Sequence, residues 1–113
     1  MHIVFSIVLY KTKFSVINKI LSCIDIFEKN YTSKISKYSS VNTLVLDNYY
    51  RSDNKLQEFI NDQPSINYFK SKVNLGYGRG HNKNFFRFNE VSNFIFIPIN
   101  PDIRFTPEEL SNL

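Results

Sequence analysis

Asn74-Leu-Gly-Tyr-Gly-Arg-Gly-His-Asn82 and, twelve residues on, Phe94-Ile-Phe-Ile-Pro-Ile-Asn-Pro-Asp102 are the two stretches that decide how this chain reads. The first holds all three glycines of the protein within five residues. It reads as a polar loop carrying an Arg, a His and two Asn, with few Cβ atoms to keep a ligand off the backbone. The second is an apolar run that stops abruptly at Asn100-Pro101-Asp102. It reads as a buried strand that delivers a carboxylate at its C-terminal end. A polar loop beside a strand-end Asp is one way an α/β protein holds a phosphorylated nucleotide and its metal.

Working outward from these stretches, Ile3 to Tyr10 is a continuous, β-branched apolar run, as expected of a strand covered on both faces. Phe14, Ile17, Ile20, Leu21, Ile24 and Phe27 then recur at helical spacing, with Thr12 or Ser15 as cap and Asn30 as the end. Residues 31–40 read as loop. Val41 to Asp47 is a second apolar run that closes on a carboxylate. Asp53 is placed to cap a short helix containing Leu56, Phe59 and Ile60, and Ile66 to Phe69 is a weaker third strand. A helix is expected from about 81 to 91, carrying Phe85, Phe86 and Phe88. Phe94 to Ile99 is the fourth strand, and Pro98, which lacks a ladder donor, points to its end or to a sheet edge. Thr106-Pro107-Glu108-Glu109 has the form of a helix start. Strands alternating with helices predict an α/β fold: a parallel four-stranded sheet, right-handed crossovers and helices on both faces. Ligands in such sheets sit outside the carboxyl ends of the strands. Tyr10, Asp47 and Asp102 each close a strand, and the glycine stretch follows the remaining one. Four strand ends therefore meet on one rim.

At 113 residues the chain is one domain at most, and its mixed charges and 42% apolar content are those of a globular protein rather than a disordered one. The net charge of +4 comes from scattered lysines with no run of like charges, so no nucleic-acid partner is expected. The single cysteine, Cys23, rules out an internal disulfide and a cysteine-based zinc site. It reads as a small hydrophobe in a reducing, cytoplasmic compartment. The apolar run at 3–9 is too short to span a bilayer and lacks the features of a signal peptide.

Each candidate residue has two readings. The glycines follow G-x-G-x-G, which is neither the dinucleotide fingerprint nor a P-loop, and a plain turn before a helix has the same pattern. Asp47 and Asn48 can accept hydrogen bonds from a base or ribose, or form an Asx turn leaving the strand. Asp102 can ligate a divalent cation that bridges diphosphate oxygens, or simply follow Pro101 in a turn. Arg79 and His81 can contact phosphate or ribose, or stay solvated. Tyr10 can stack on a base, or pack at the strand end.

In their order and spacing these motifs resemble the N-terminal, nucleotide-sugar-binding half of family-2 glycosyltransferases with the GT-A fold, and more closely the rhamnosyltransferase-like branch. That branch ends its first strand in Thr-Tyr-Asn, and this chain has Leu9-Tyr10-Lys11. Its second strand ends in Val-Asp-Asn followed by Ser-Asp, as Leu46-Asp47-Asn48 and Ser52-Asp53 do here. Asn74 to Asn82 resembles its Asn-Leu-Gly-Phe/Tyr stretch, and Ile99 to Ile103 its Leu-Asn-Pro-Asp element. The resemblance spans essentially the whole chain.

It implies a Rossmann-like GT-A half-domain in which Tyr10, Asp47 and Asn48 line the nucleobase pocket and Arg79, His81 and Asn82 lie near the nucleotide. Asp102, with Asn100, would hold Mn²⁺ or Mg²⁺. Asn100 departs from the family's two-carboxylate form, and Lys11 replaces the usual Asn. The implied reaction transfers a sugar from a dTDP- or UDP-sugar, with rhamnose favoured, to a surface polysaccharide or its lipid-linked precursor. That acceptor would bring the protein to the inner face of the cell membrane as a peripheral partner. Family members are more than twice as long, and the further half supplies the acceptor site and the general base. The expectation is thus a truncated single domain over 1–113 that is inactive alone, and a non-catalytic nucleotide-binding or assembly module is the alternative. The apolar edge at Phe94–Ile99 further predicts a homodimer.

Overall fold

Branched and aromatic residues fill 2–9, 40–47, 66–70 and 94–99, where they favour extended backbone over helix. In the computed structural model, which describes residues 2–34, 40–51, 55–88, 93–101 and 109, each of these stretches is a strand. The elements run β1 (His2–Leu9), α1 (Phe14–Lys34), β2 (Ser40–Asp47), α2 (Lys55–Asn61), β3 (Ile66–Lys70), α3 (Gly76–Phe88) and β4 (Phe94–Ile99). All strand pairs are parallel, and the sheet order is β3-β2-β1-β4, a Rossmann-like topology. The chain walks outward from β1 to β3, then crosses back so that β4 pairs with the other side of β1. Pro98 accordingly lies near the end of an edge strand, where its missing N–H is tolerated. Among the described residues no helix is long and apolar enough to cross a membrane.

The strand period of two sorts side chains onto two faces. Ile3, Phe5, Ile7 and Leu9 of β1 join Val41 and Val45 of β2 on one face. There they meet Ile17, Ile20, Leu21, Ile24 and Phe27 of α1, and Leu56 and Ile60 of α2. Phe5 meets Phe27 edge to face, with centroids 5.6 Å apart. Each such buried side chain contributes about 1.5–3 kcal/mol, so this face holds most of the core energy. Val4, Ser6 and Val8 point to the opposite face, which α3 covers. Its centre, Gly80 and Asn84, is buried against β1 and β2. One flank packs Phe85 and Phe88 on Phe94 and Phe96 of β4. The other lays Lys83 and Arg87 over the Phe69 ring of β3.

Three local expectations are corrected. The glycine stretch is not a loop: all three glycines lie in the first turns of α3, which starts at Gly76 rather than near 81 and ends at Phe88. Asn74 Oδ1 accepts from Gly76 N–H at 2.9 Å and leads the chain into the helix. Gly76 takes φ +74°, which a Cβ would strain. Secondly, α1 runs through Asn30 to Lys34, because Phe27 and Tyr31 stack at 5.6 Å and extend its packed face by a turn. Thirdly, neither Thr12 nor Ser15 caps α1. The Lys13 carbonyl accepts from Val16 and Ile17 N–H, and Thr12 Oγ1 accepts from Tyr10 N–H. Asp53 and the proposed helix start at Thr106–Glu108 lie outside the described residues.

Candidate functional site

Leu9 stands level with Asp47, and Asp47 with Lys70, so β1, β2 and β3 end together on one rim. The Asn48 N–H donates to the Leu9 carbonyl at 2.7 Å, and the Ser71 N–H to the Asp47 carbonyl at 2.8 Å, which ties the departing loops to that rim. On the α1/α2 side of the rim lies an open cavity of about 420 Å³. The loop after β1, the end of β2 and the start of α2 form its walls. Its size is within the usual range for a small-ligand site.

Three features give this cavity its chemistry. Tyr10 and Tyr49 meet edge to face at 5.9 Å. Lys11 reaches over both rings, its Nζ 5.4 Å from the Tyr10 centroid and 5.2 Å from that of Tyr49. The Lys11 backbone is left-handed (φ 52°), a conformation that costs a residue with a side chain about 1–2 kcal/mol. Two cation–π contacts, each about 0.5–1 kcal/mol at an exposed site, offset much of that cost. Lys13 and Lys55 line the same cavity.

Asp47 is buried at the floor of the rim. Its Oδ2 accepts from the Tyr68 hydroxyl at 2.7 Å, and its Oδ1 from the Tyr49 N–H at 3.0 Å. The second bond is the Asx turn, and it sets where Tyr49 stands. Asn48, one residue on, points to the opposite face. Its Oδ1 accepts from Leu75 N–H at 3.2 Å, and its Nδ2 donates to the Gly76 carbonyl at 3.1 Å. Both halves of this amide therefore hold the start of α3.

The α3 residues are arranged differently from the rim group. Arg79 and Asn82 are exposed on the helix. His81 is half-buried and faces the sheet, with Nδ1 2.7 Å from Ser6 Oγ. Ser6 Oγ also accepts from Asn84 Nδ2 at 2.9 Å, and a neutral imidazole can either accept the Ser6 proton at Nδ1 or donate its own there. Burial holds the imidazole pKa below its ordinary value, which favours this neutral form. Asn84 Nδ2 also lies 3.3 Å from the Leu44 carbonyl and 3.4 Å from that of Ile7. This triad pins α3 to the sheet.

The structure thus brings Asp47 together with Tyr49 and the lysines on one side of the sheet, with the Tyr10 ring against that of Tyr49. It sets Asn48, Arg79, His81 and Asn82 on the other side, on or against α3. Asn100 is exposed just beyond β4, and Asp102 lies outside the described residues. Among the described residues no three His, Cys, Asp or Glu side chains gather as a metal centre. Sequence reasoning missed Tyr49, Lys13 and Lys55. The only signals were a Tyr-Tyr pair after Asp47-Asn48 and two lysines directly after the first strand. It also missed Ser6, a polar residue inside the apolar first strand, and Asn84, buried where α3 meets the sheet. Set against known proteins, the chain matches no protein-family model and no curated protein.

Proposed function

We propose that this protein binds a nucleoside diphosphate sugar at the β1/β2 rim, as the donor-binding part of a glycosyltransferase. The observation that carries the binding step is the cavity itself. It lies outside the carboxyl ends of a parallel sheet, where such folds bind ligands, and it combines Tyr49, a carboxylate and three lysines, with Tyr10 packed against Tyr49. The tyrosines offer faces to a base, Asp47 offers an acceptor to its ring N–H, and the lysines complement phosphate. Sugar transfer rests on the resemblance to the GT-A rhamnosyltransferase-like branch, with a dTDP- or UDP-sugar donor and a polysaccharide acceptor. A divalent ion held by Asp102 and Asn100 rests on that resemblance alone, and no step is assigned to it.

Calorimetric titration of UDP, dTDP and uridine, with and without Mn²⁺, tests this reading. Both diphosphates bind, and Tyr49→Ala weakens them by about 5- to 150-fold, the value of one stacked base at ~1–3 kcal/mol. Binding of neither diphosphate, in either metal condition, would remove the proposal. If Asp102→Ala abolishes only the Mn²⁺-dependent part, Asp102 is the metal carboxylate; if it changes nothing, the metal assignment is wrong.

A further inference from the structure

We infer that Lys11, Lys13 and Lys55 form a phosphate-holding wall in the rim cavity, which grips the diphosphate of a nucleotide without help from a metal ion. The nucleotide part of this inference rests on the function proposed above; the anion site does not.

The cavity draws its charge from two separate segments. Lys11 and Lys13 come from the loop between β1 and α1, and Lys55 opens α2. Among the described residues Asp47 is the single carboxylate of the lining, and its two oxygens accept from Tyr49 N–H and Tyr68 OH. The described lining residues therefore carry a positive formal charge, three lysines against one acid. Scattered surface lysines do not converge in this way. Lys19 and Lys29 of α1 line no part of this cavity, and Lys29 is paired with Asp25 at 3.0 Å.

Lys11 adds geometry to charge. Its left-handed backbone folds the side chain back over Tyr10 and Tyr49 instead of letting it extend into solvent. The ammonium thus stands over the ring surface on which a base would stack. A ligand that carries an aromatic ring and a polyanion a few bonds apart meets both features at once, and a nucleoside diphosphate is such a ligand. Arrival of phosphate gives the ammonium a full negative partner in place of two ring quadrupoles. Lys11 then leaves the tyrosine faces as the base takes them.

The test is a series of calorimetric titrations in EDTA, with uridine, UMP, UDP and inorganic pyrophosphate as probes. The wild-type chain is compared with Lys11→Gln/Lys13→Gln/Lys55→Gln and with Lys19→Gln as the surface control. Affinity rises from uridine to UMP to UDP without metal, and pyrophosphate competes with UDP. The triple variant loses at least about 10-fold for UDP and pyrophosphate and keeps uridine affinity, while Lys19→Gln changes neither. Unchanged thermal unfolding of the triple variant shows that the loss is not one of folding. UDP binding that needs Mn²⁺ and ignores the lysines overturns the wall and keeps the nucleotide reading. Lysine-dependent pyrophosphate binding with no gain from the base keeps the wall and overturns the nucleotide reading. No binding of any probe overturns both.

Discussion

A methyl group added at Gly80 would lie 2.8 Å from Cγ2 and 2.9 Å from Cγ1 of Val8, inside any normal contact. Val8 is fully buried and β-branched, so it cannot rotate away. Gly80→Ala should therefore destabilise the fold by about 1–3 kcal/mol in urea unfolding, even though Ala is the better helix former. Gly78 has open space around it, and Gly78→Ala should stabilise by up to about 1 kcal/mol. The opposite signs separate close approach from helix propensity. His81 makes a second prediction at this scale. Burial lowers its folded pKa beneath the unfolded value of 6.5, so the unfolded chain takes the proton more readily. Its share of stability is complete above pH 6.5 and falls away as pH drops through the depressed folded value. Glu28, raised above 4.5 mainly by burial, acts in the opposite sense. Its contribution is full below that pH and is lost as pH rises through the raised folded value. His81→Gln should flatten the acid-side loss of stability that starts near pH 6.5, measured by denaturant unfolding at pH 7.5 and 5.5. An unaltered slope would put the linked proton elsewhere.

At the scale of elements, the strands were legible because each is a short apolar run with a polar stop. The start of α3 was not. Three glycines in five residues are poor helix formers, and local propensity argues for a loop. What overrides it is tertiary: Asn48 and Asn74 hold the first turn, and Val8 demands a residue without Cβ at position 80. The aromatic and lysine cluster was illegible for a related reason. Its members come from the loops after two strands and from the start of a helix, and only the folded sheet brings them together. The edge strand β4 carries the third prediction. Phe94–Ile99 has no charged residue, Ile95 is 47% exposed, and Phe86 of the covering helix is 69% exposed. An uncharged edge of this kind invites pairing with a second copy. Under the dimer proposal, sedimentation at micromolar concentration finds self-association, and Ile95→Lys weakens it with little loss of stability. A wild-type chain that sediments as a monomer at high concentration would contradict the proposal.

For the whole molecule, the sheet order places β1 at the centre, with β2 and β4 on either side, and β1 is buried on both faces. The parallel sheet was readable from the alternation of strands and helices, and the two-faced burial of β1 from its continuous apolar run; the strand order was not. Which side of the rim holds the cavity was not readable either, because its walls come from loops and helix starts that only the folded sheet brings together. The candidate residues divide accordingly, with Tyr10 and Asp47 beside the cavity and His81 and Asn84 fastening α3. Under the proposed function a nucleoside diphosphate binds on the α1/α2 side of the rim. Backbone amide resonances followed through a UDP titration locate that site. Saturable shifts are expected at residues 9–13, 47–49 and 55–56, with residues 83–88 of α3 unmoved. Saturable shifts centred on α3, or none up to millimolar UDP, would contradict the proposal.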